Sequence, residues 1–78
     1  MARITLYGRP DCHLCDEARA VLQSIGESFE EVDIESDDAL FKRYLERIPV
    51  VTLDGREVAE LYVEERHLRN LLCNADNV

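Results

Sequence analysis

No apolar run in this chain approaches the roughly 20 residues needed to span a bilayer. Nor does Met1-Ala2-Arg3 open a signal-peptide core; it leads straight into an apparent strand. Basic residues are scarce, 9 against 17 acidic ones, for a formal net charge of −8. That balance speaks against nucleic acid and anionic membrane surfaces as partners, because phosphate contacts need positive patches. Cysteines number three, an odd count that argues against a disulfide-stapled secreted scaffold. There is no internal repeat, low-complexity stretch or linker, and 78 residues make a single domain. These absences lead to the expectation of a soluble, cytoplasmic protein, in a compartment where thiols are normally reduced.

What remains has the makings of a compact fold. The hydrophobic fraction is 46%, ordinary for a globule. Arg3 to Tyr7 alternates as a strand, with Ile4 and Leu6 on one face and Thr5 and Tyr7 on the other. After a loop from Gly8 to Asp11, the residues Leu14, Ala18, Val21, Leu22 and Ile25 draw one apolar helical stripe, closed by Gly26. Phe29 to Ile34 reads as a second strand. Ser36 is placed to N-cap a second helix whose buried side would carry Leu40, Phe41, Tyr44, Leu45 and Ile48. That helix stops at Ile48-Pro49, since a residue before proline leans towards extended backbone. Val50 to Leu53 and Arg56 to Leu61, joined by Asp54-Gly55, form a hairpin, and Leu68, Leu71 and Leu72 mark a last helix. The order β-α-β-α-β-β-α predicts an α/β fold with a four-stranded mixed sheet: a parallel first pair, then an antiparallel hairpin.

The chemistry sits in Cys12-His13-Leu14-Cys15, between the first strand and the first helix. Residues three apart share a helix face, so the two sulfurs can meet. Helix N-terminal N–H groups and the helix dipole favour a thiolate at Cys12, while Cys15, a turn further in, is more shielded. Cys12 is therefore read as the nucleophile that forms a mixed disulfide, and Cys15 as the resolving thiol. Arg9 and His13 add positive potential near Cys12, whereas Asp11, Asp16 and Glu17 oppose it. A zinc site made of Cys12, Cys15, His67 and Cys73 is conceivable, but no second CxxC and no HxxxH accompany the first pair, and no metal is expected. Tyr7 and Tyr62 read as packing residues. The run Glu30-Glu31, Asp33, Glu35 reads as a solvated strand edge.

Taken together, the strand Ile4 to Tyr7, the block Gly8-Arg9-Pro10-Asp11-Cys12-His13-Leu14-Cys15, the tripeptide Ile48-Pro49-Val50 and the Asp54-Gly55 hairpin resemble a glutaredoxin-like protein of the thioredoxin fold, closest to a short bacterial branch carrying a CHLC motif. A CxxC followed about 35–40 residues later by an aliphatic-Pro-Val, in this element order, is a specific signal. The resemblance implies thiol–disulfide oxidoreductase activity with no bound cofactor, acting on a disulfide-containing protein or small thiol and recharged by an electron donor that the sequence does not identify. A monomer is expected. The resemblance also implies a cis bond at Pro49, a backbone at Ile48 that pairs with an extended substrate, and a basic substrate-side residue at Arg9, with Arg43 and Arg47 near the same groove. Glutathione is the family's co-substrate. Two departures weigh against it: Glu60-Leu61-Tyr62-Val63 stands where a glycine pair would receive the γ-glutamyl carboxylate, and the aromatic inside the CxxC is missing. Other readings of the same thiols are a metal or iron–sulfur carrier, a binding module and a redox sensor.

Overall fold

A computed structural model of the chain describes residues 3–76, with side chains over residues 3–72. Its elements follow the expected order: β1 (Ile4–Gly8), α1 (His13–Ile25), β2 (Phe29–Asp33), α2 (Asp38–Tyr44), β3 (Val50–Leu53), β4 (Arg56–Glu60) and α3 (Glu65–Asp76). The strands form one sheet in the order β2-β1-β3-β4. β1 and β2 run parallel, while β3 is antiparallel to both β1 and β4. This is the thioredoxin-like α/β arrangement expected. Asp54 and Gly55 both take positive φ (52° and 87°), the backbone of a tight two-residue hairpin turn. Asp54 also ties the turn to the start of β1: its N–H donates to the Arg3 carbonyl and its carboxylate accepts from the Arg3 N–H, each at 2.8 Å. Val51 pairs with Ala59 but Thr52 pairs with Glu57, so Val58 is a bulge in β4.

Alternation in β1 sends side chains into two separate cores. Ile4 and Leu6 join Val51 of β3, Ala18 and Leu22 of α1, and Leu68 of α3. On the other side Tyr7 and Val50 meet Ile34, Tyr44 and Ile48, with Leu40 and Phe41 against them. Hence α1 and α3 cover one sheet face and α2 the other. Cys15 belongs to α1 yet packs into the α2-side cluster. The first turn of α1 therefore joins the two cores at the C-terminal end of β1.

The second helix departs from expectation at both ends. Its N-cap is Asp37, not Ser36: the Asp37 carboxylate accepts the N–H groups of Ala39 at 2.8 Å and Leu40 at 3.3 Å. The Ser36 hydroxyl instead donates to the Asp33 carbonyl at 2.6 Å, inside a single 3-10 turn over Ile34–Ser36. The helix ends at Tyr44, and in the turn that follows the Tyr44 carbonyl accepts both the Arg47 and the Ile48 N–H, at 2.8 and 3.0 Å. Leu45, still in helical backbone with its N–H on the Phe41 carbonyl, is 36% exposed and not part of the buried face. β4 also stops one residue early, at Glu60. Leu61 takes a positive φ of 65° and Tyr62 turns out to 74% exposure, so Tyr62 is not the packing residue expected.

Leu22 is fully buried between α1 and the sheet. Truncation there removes contacts that neither helix can refill, so Leu22→Ala should lower unfolding free energy by about 2–5 kcal/mol. The shift in urea midpoint at unchanged slope measures it.

Candidate functional site

The site begins where β1 ends. Gly8 is the last residue of β1, not the first of the loop, and its backbone lies directly under Cys15. A Cβ on Gly8 would stand 3.0 Å from Cys15 Sγ and 3.2 Å from Cys15 Cβ, tight enough that the Cys15 side chain would have to give by a few tenths of an ångström. The chain then turns through Pro10 and Asp11. Asp11 has φ 59°, a left-handed conformation that aspartate adopts more readily than most residues. This turn delivers Cys12 in extended backbone to the N-cap position of α1.

Cys12 and Cys15 form a disulfide, with Cα atoms 5.2 Å apart. Cys12 Sγ also accepts the Cys15 N–H at 3.1 Å, so the sulfur itself caps the helix. The two sulfurs differ in access: Cys15 is 1% exposed, whereas Cys12 is half-buried at the rim. One thiol is thus open to exchange and held by a helix N–H. The other is enclosed. That asymmetry matches the chemistry of an attacking and a resolving thiol.

His13 opens α1 with its ring in solvent, and its Nε2 faces the Glu17 carboxylate at 3.6 Å. Arg9 Nε stands 3.5 Å from the Glu35 carboxylate, in the turn after β2. The Ile48–Pro49 bond is cis, as the resemblance implies. Pro49 is fully buried and its carbonyl accepts the Leu61 N–H at 2.9 Å, which ties the end of β4 to the proline loop. Ile48 packs in the same cluster as Cys15. Its N–H is donated to the Tyr44 carbonyl at 3.0 Å, so only its carbonyl is left to pair with an extended segment. Arg43 and Arg47 each have a carboxylate partner on β4. They lie close to the Tyr44 ring, at 5.4 and 5.5 Å from its centroid, and both reach Glu57; Arg47 also bonds Glu60 at 2.9 Å. Tyr44 in turn lies on Tyr7 with ring centroids 4.9 Å apart. Burial pushes the Tyr44 phenol above its ordinary pKa and keeps it neutral.

Beside Cys15 a cleft of about 250 Å³ opens between α1 and β2. Its charged walls are Arg9, Asp16, Arg19, Glu31 and Asp33. The Arg19 guanidinium spans that wall, bonding both Glu31 oxygens at 2.6 and 2.9 Å and Asp16 at 2.8 Å. Part of the acidic run on β2 is therefore bound to arginines and not merely solvated. Sequence reasoning passed over Gly8, Glu35 and the Tyr7–Tyr44 pair, since each acquires meaning only from a neighbour distant in the chain. Among the described residues no group of three or more metal-ligating side chains gathers. The His67 ring donates to the Val58 carbonyl at 3.0 Å, and the Cys73 side chain lies outside the described residues.

With this geometry in hand, the relatives can be placed. The family model of the glutaredoxin-like domain (DUF836) matches residues 3–73. The chain belongs to that family of glutaredoxin-like, thioredoxin-fold proteins. An X-ray structure of the target protein XcR50 from X. campestris is 40% identical, with a TM-score of 0.79 over 91% of this chain and 96% of that one. Protein Ne2328 from Nitrosomonas europaea shares the fold at 24% identity, with a TM-score of 0.77 over 90% of this chain and 89% of that one. NrdH-redoxin from Escherichia coli, described as a glutaredoxin-like protein with a thioredoxin-like activity profile, is 25% identical, with a TM-score of 0.65 over 88% of this chain and 93% of that one. Family, fold and paired cysteines together support a role in thiol redox chemistry. No helix among the described residues is long and apolar enough to cross a membrane.

Two outcomes test the site's construction. Gly8→Ala must push the Cys15 sulfur aside, so the oxidised variant should lose about 1–3 kcal/mol, the cost of overpacking, in its denaturant midpoint; an unmoved midpoint would show that the contact yields freely. The second concerns Glu57, whose carboxyl the Arg47 guanidinium holds below its ordinary pKa of 4.5. Stability from a lowered carboxyl pKa is present above the ordinary value and lost as pH falls through the folded one. Glu57→Gln should therefore be less stable than the parent near neutrality, with the gap closing below the ordinary carboxyl range in pH-dependent melts.

Proposed function

We propose that this protein is a thiol–disulfide oxidoreductase that needs no bound cofactor and works through the Cys12–Cys15 pair. The observation that carries the proposal is the unequal access of the two sulfurs at a helix start: Cys12 half-buried and capped by the Cys15 N–H, Cys15 enclosed against Gly8.

The reduced protein starts the cycle. The Cys12 thiolate, stabilised by the N–H groups and dipole of α1, attacks one sulfur of a substrate disulfide. A Cys12–substrate bond forms as the substrate S–S bond breaks, and the first substrate thiolate leaves. Cys15 loses its proton and attacks Cys12 Sγ, forming the intramolecular disulfide and expelling the second thiolate. The substrate gains two electrons and, from solvent, two protons; the pair is oxidised by the same two electrons. An external dithiol donor of the cell restores it. Close spacing makes the second attack intramolecular, so the mixed disulfide is short-lived.

An extended substrate would lie against the cis-proline loop and pair through the Ile48 carbonyl. Protein disulfides fit this reading better than glutathione, because no glycine pair follows β4 and Leu61-Tyr62 project there instead. The thioredoxin-like activity profile described for the E. coli relative supports the same preference. The protein would act as a cytoplasmic monomer.

Reduction of insulin disulfides tests the mechanism. Cys12→Ser should abolish activity, and retained activity would sink it. Cys15→Ser should accumulate a Cys12-linked mixed disulfide visible as an adduct by intact mass, and its absence would reverse the roles.

A further inference from the structure

The charges around the dithiol are arranged so that no arginine close to it stands alone. Arg9 is the cation of the nucleophile's own loop, and it faces Glu35 at 3.5 Å. Arg19, on the cleft wall beside Cys15, is shared between Glu31 and Asp16. On the proline side Arg43 and Arg47 are committed to Glu57 and Glu60. The imidazole of His13 faces Glu17. Around the loop, the first turn of α1 and the end of β2, the carboxylates Asp11, Asp16, Glu17, Glu31, Asp33 and Glu35 oppose two guanidinium groups, Arg9 and Arg19. Asp11 and Asp33 have no ion-pair partner among the described residues.

We propose that Glu35 is a specificity-determining residue: by engaging Arg9 it denies that cation to a substrate carboxylate and turns the Cys12–Cys15 site towards cationic disulfides and away from anionic ones. This rests on the oxidoreductase reading above and names the substrate class. An anionic substrate gains nothing by displacing Glu35, because it exchanges one carboxylate for another at a half-exposed pair. It still meets the remaining carboxylates, whose repulsion across several ångströms of water is worth about a two- to threefold change in rate per charge pair. A disulfide flanked by ammonium or guanidinium groups meets the same field as an attraction. Glu35 suits such a role because it lies on an exposed turn held by other groups. The Asp33 carboxylate accepts the Glu35 N–H at 2.8 Å, a bond that does not involve the Glu35 side chain. Substitution at this position therefore changes charge without loosening the turn.

Single-turnover oxidation of the pre-reduced protein tests this without any electron donor. Three small disulfides serve as probes: cystamine, bearing two ammonium groups, uncharged bis(2-hydroxyethyl) disulfide, and dianionic 3,3′-dithiodipropionate. In each reaction one probe disulfide gives two small thiols while Cys12 and Cys15 close their disulfide, followed by thiol alkylation and mass. Each rate is divided by that of dithiothreitol with the same probe, which removes the probe's intrinsic reactivity. The expected order is cystamine, then the neutral probe, then the dianion, with the first exceeding the last by about tenfold. In 1 M salt, where the screening length is about 3 Å, that ratio should collapse towards one. Glu35→Gln should lower the cystamine-to-dianion ratio about threefold or more, and Glu35→Asp should largely restore it. Equal normalised rates for all three probes, or a ratio that Glu35→Gln does not move, would overturn the proposal while leaving the redox activity standing. Failure to oxidise even with the neutral probe would overturn both readings together.

Discussion

Everything in this molecule converges on the contact between the end of β1 and the first turn of α1. Gly8 leaves room for the Cys15 sulfur, and that room lets the helix start close enough for Cys12 to cap it. The same contact carries Cys15 out of its own helix's core and into the cluster under α2. Helix α1 therefore feeds both cores, with Ala18 and Leu22 in one and Cys15 in the other. The redox pair is not appended to a finished scaffold. Its inner sulfur is part of the packing, and its outer sulfur is part of the helix cap.

The proline loop is built to the same end by different means. Tyr44 closes α2 and takes the N–H groups of both Arg47 and Ile48, so the chain reaches Pro49 with its donors already used. Leu61 then bonds the Pro49 carbonyl and holds the end of β4 against the loop. Arginines cover this corner from outside, with Arg43 and Arg47 both close to the Tyr44 ring and paired with Glu57 and, for Arg47, Glu60. Exposed ion pairs of this kind contribute little stability one by one. Their larger consequence is electrostatic, because each arginine so used leaves the acidic surroundings of the dithiol less relieved.

Several of these relations were open to a reading of the residues. Alternation in β1, the apolar stripe of α1 and the Asp54-Gly55 turn each carry their structure in local spacing, and the cysteine pair carries its own proximity in the helical repeat. Where local signals competed, they could not decide. Ser36 and Asp37 are both good caps, and the choice fell to Asp37 because the Ser36 hydroxyl is drawn to the Asp33 carbonyl. Leu45 continues the apolar run of α2, yet it is exposed while Tyr44 and Ile48 on either side of it in sequence are buried. Arg9 shows its charge but not its partner, since Glu35 lies beyond a helix and a strand.

By itself, then, the sequence determined the order of elements, the two-faced sheet and the presence of a dithiol at a helix start. All of these follow from periodicities of two and 3.6 residues and from turn chemistry within a few positions. Only the tertiary structure decided what encloses the inner thiol, why residue 8 is glycine, and which carboxylate each arginine meets. Those outcomes depend on close packing and charge pairing between segments that lie far apart in the chain, and such contacts leave no periodic trace in the sequence.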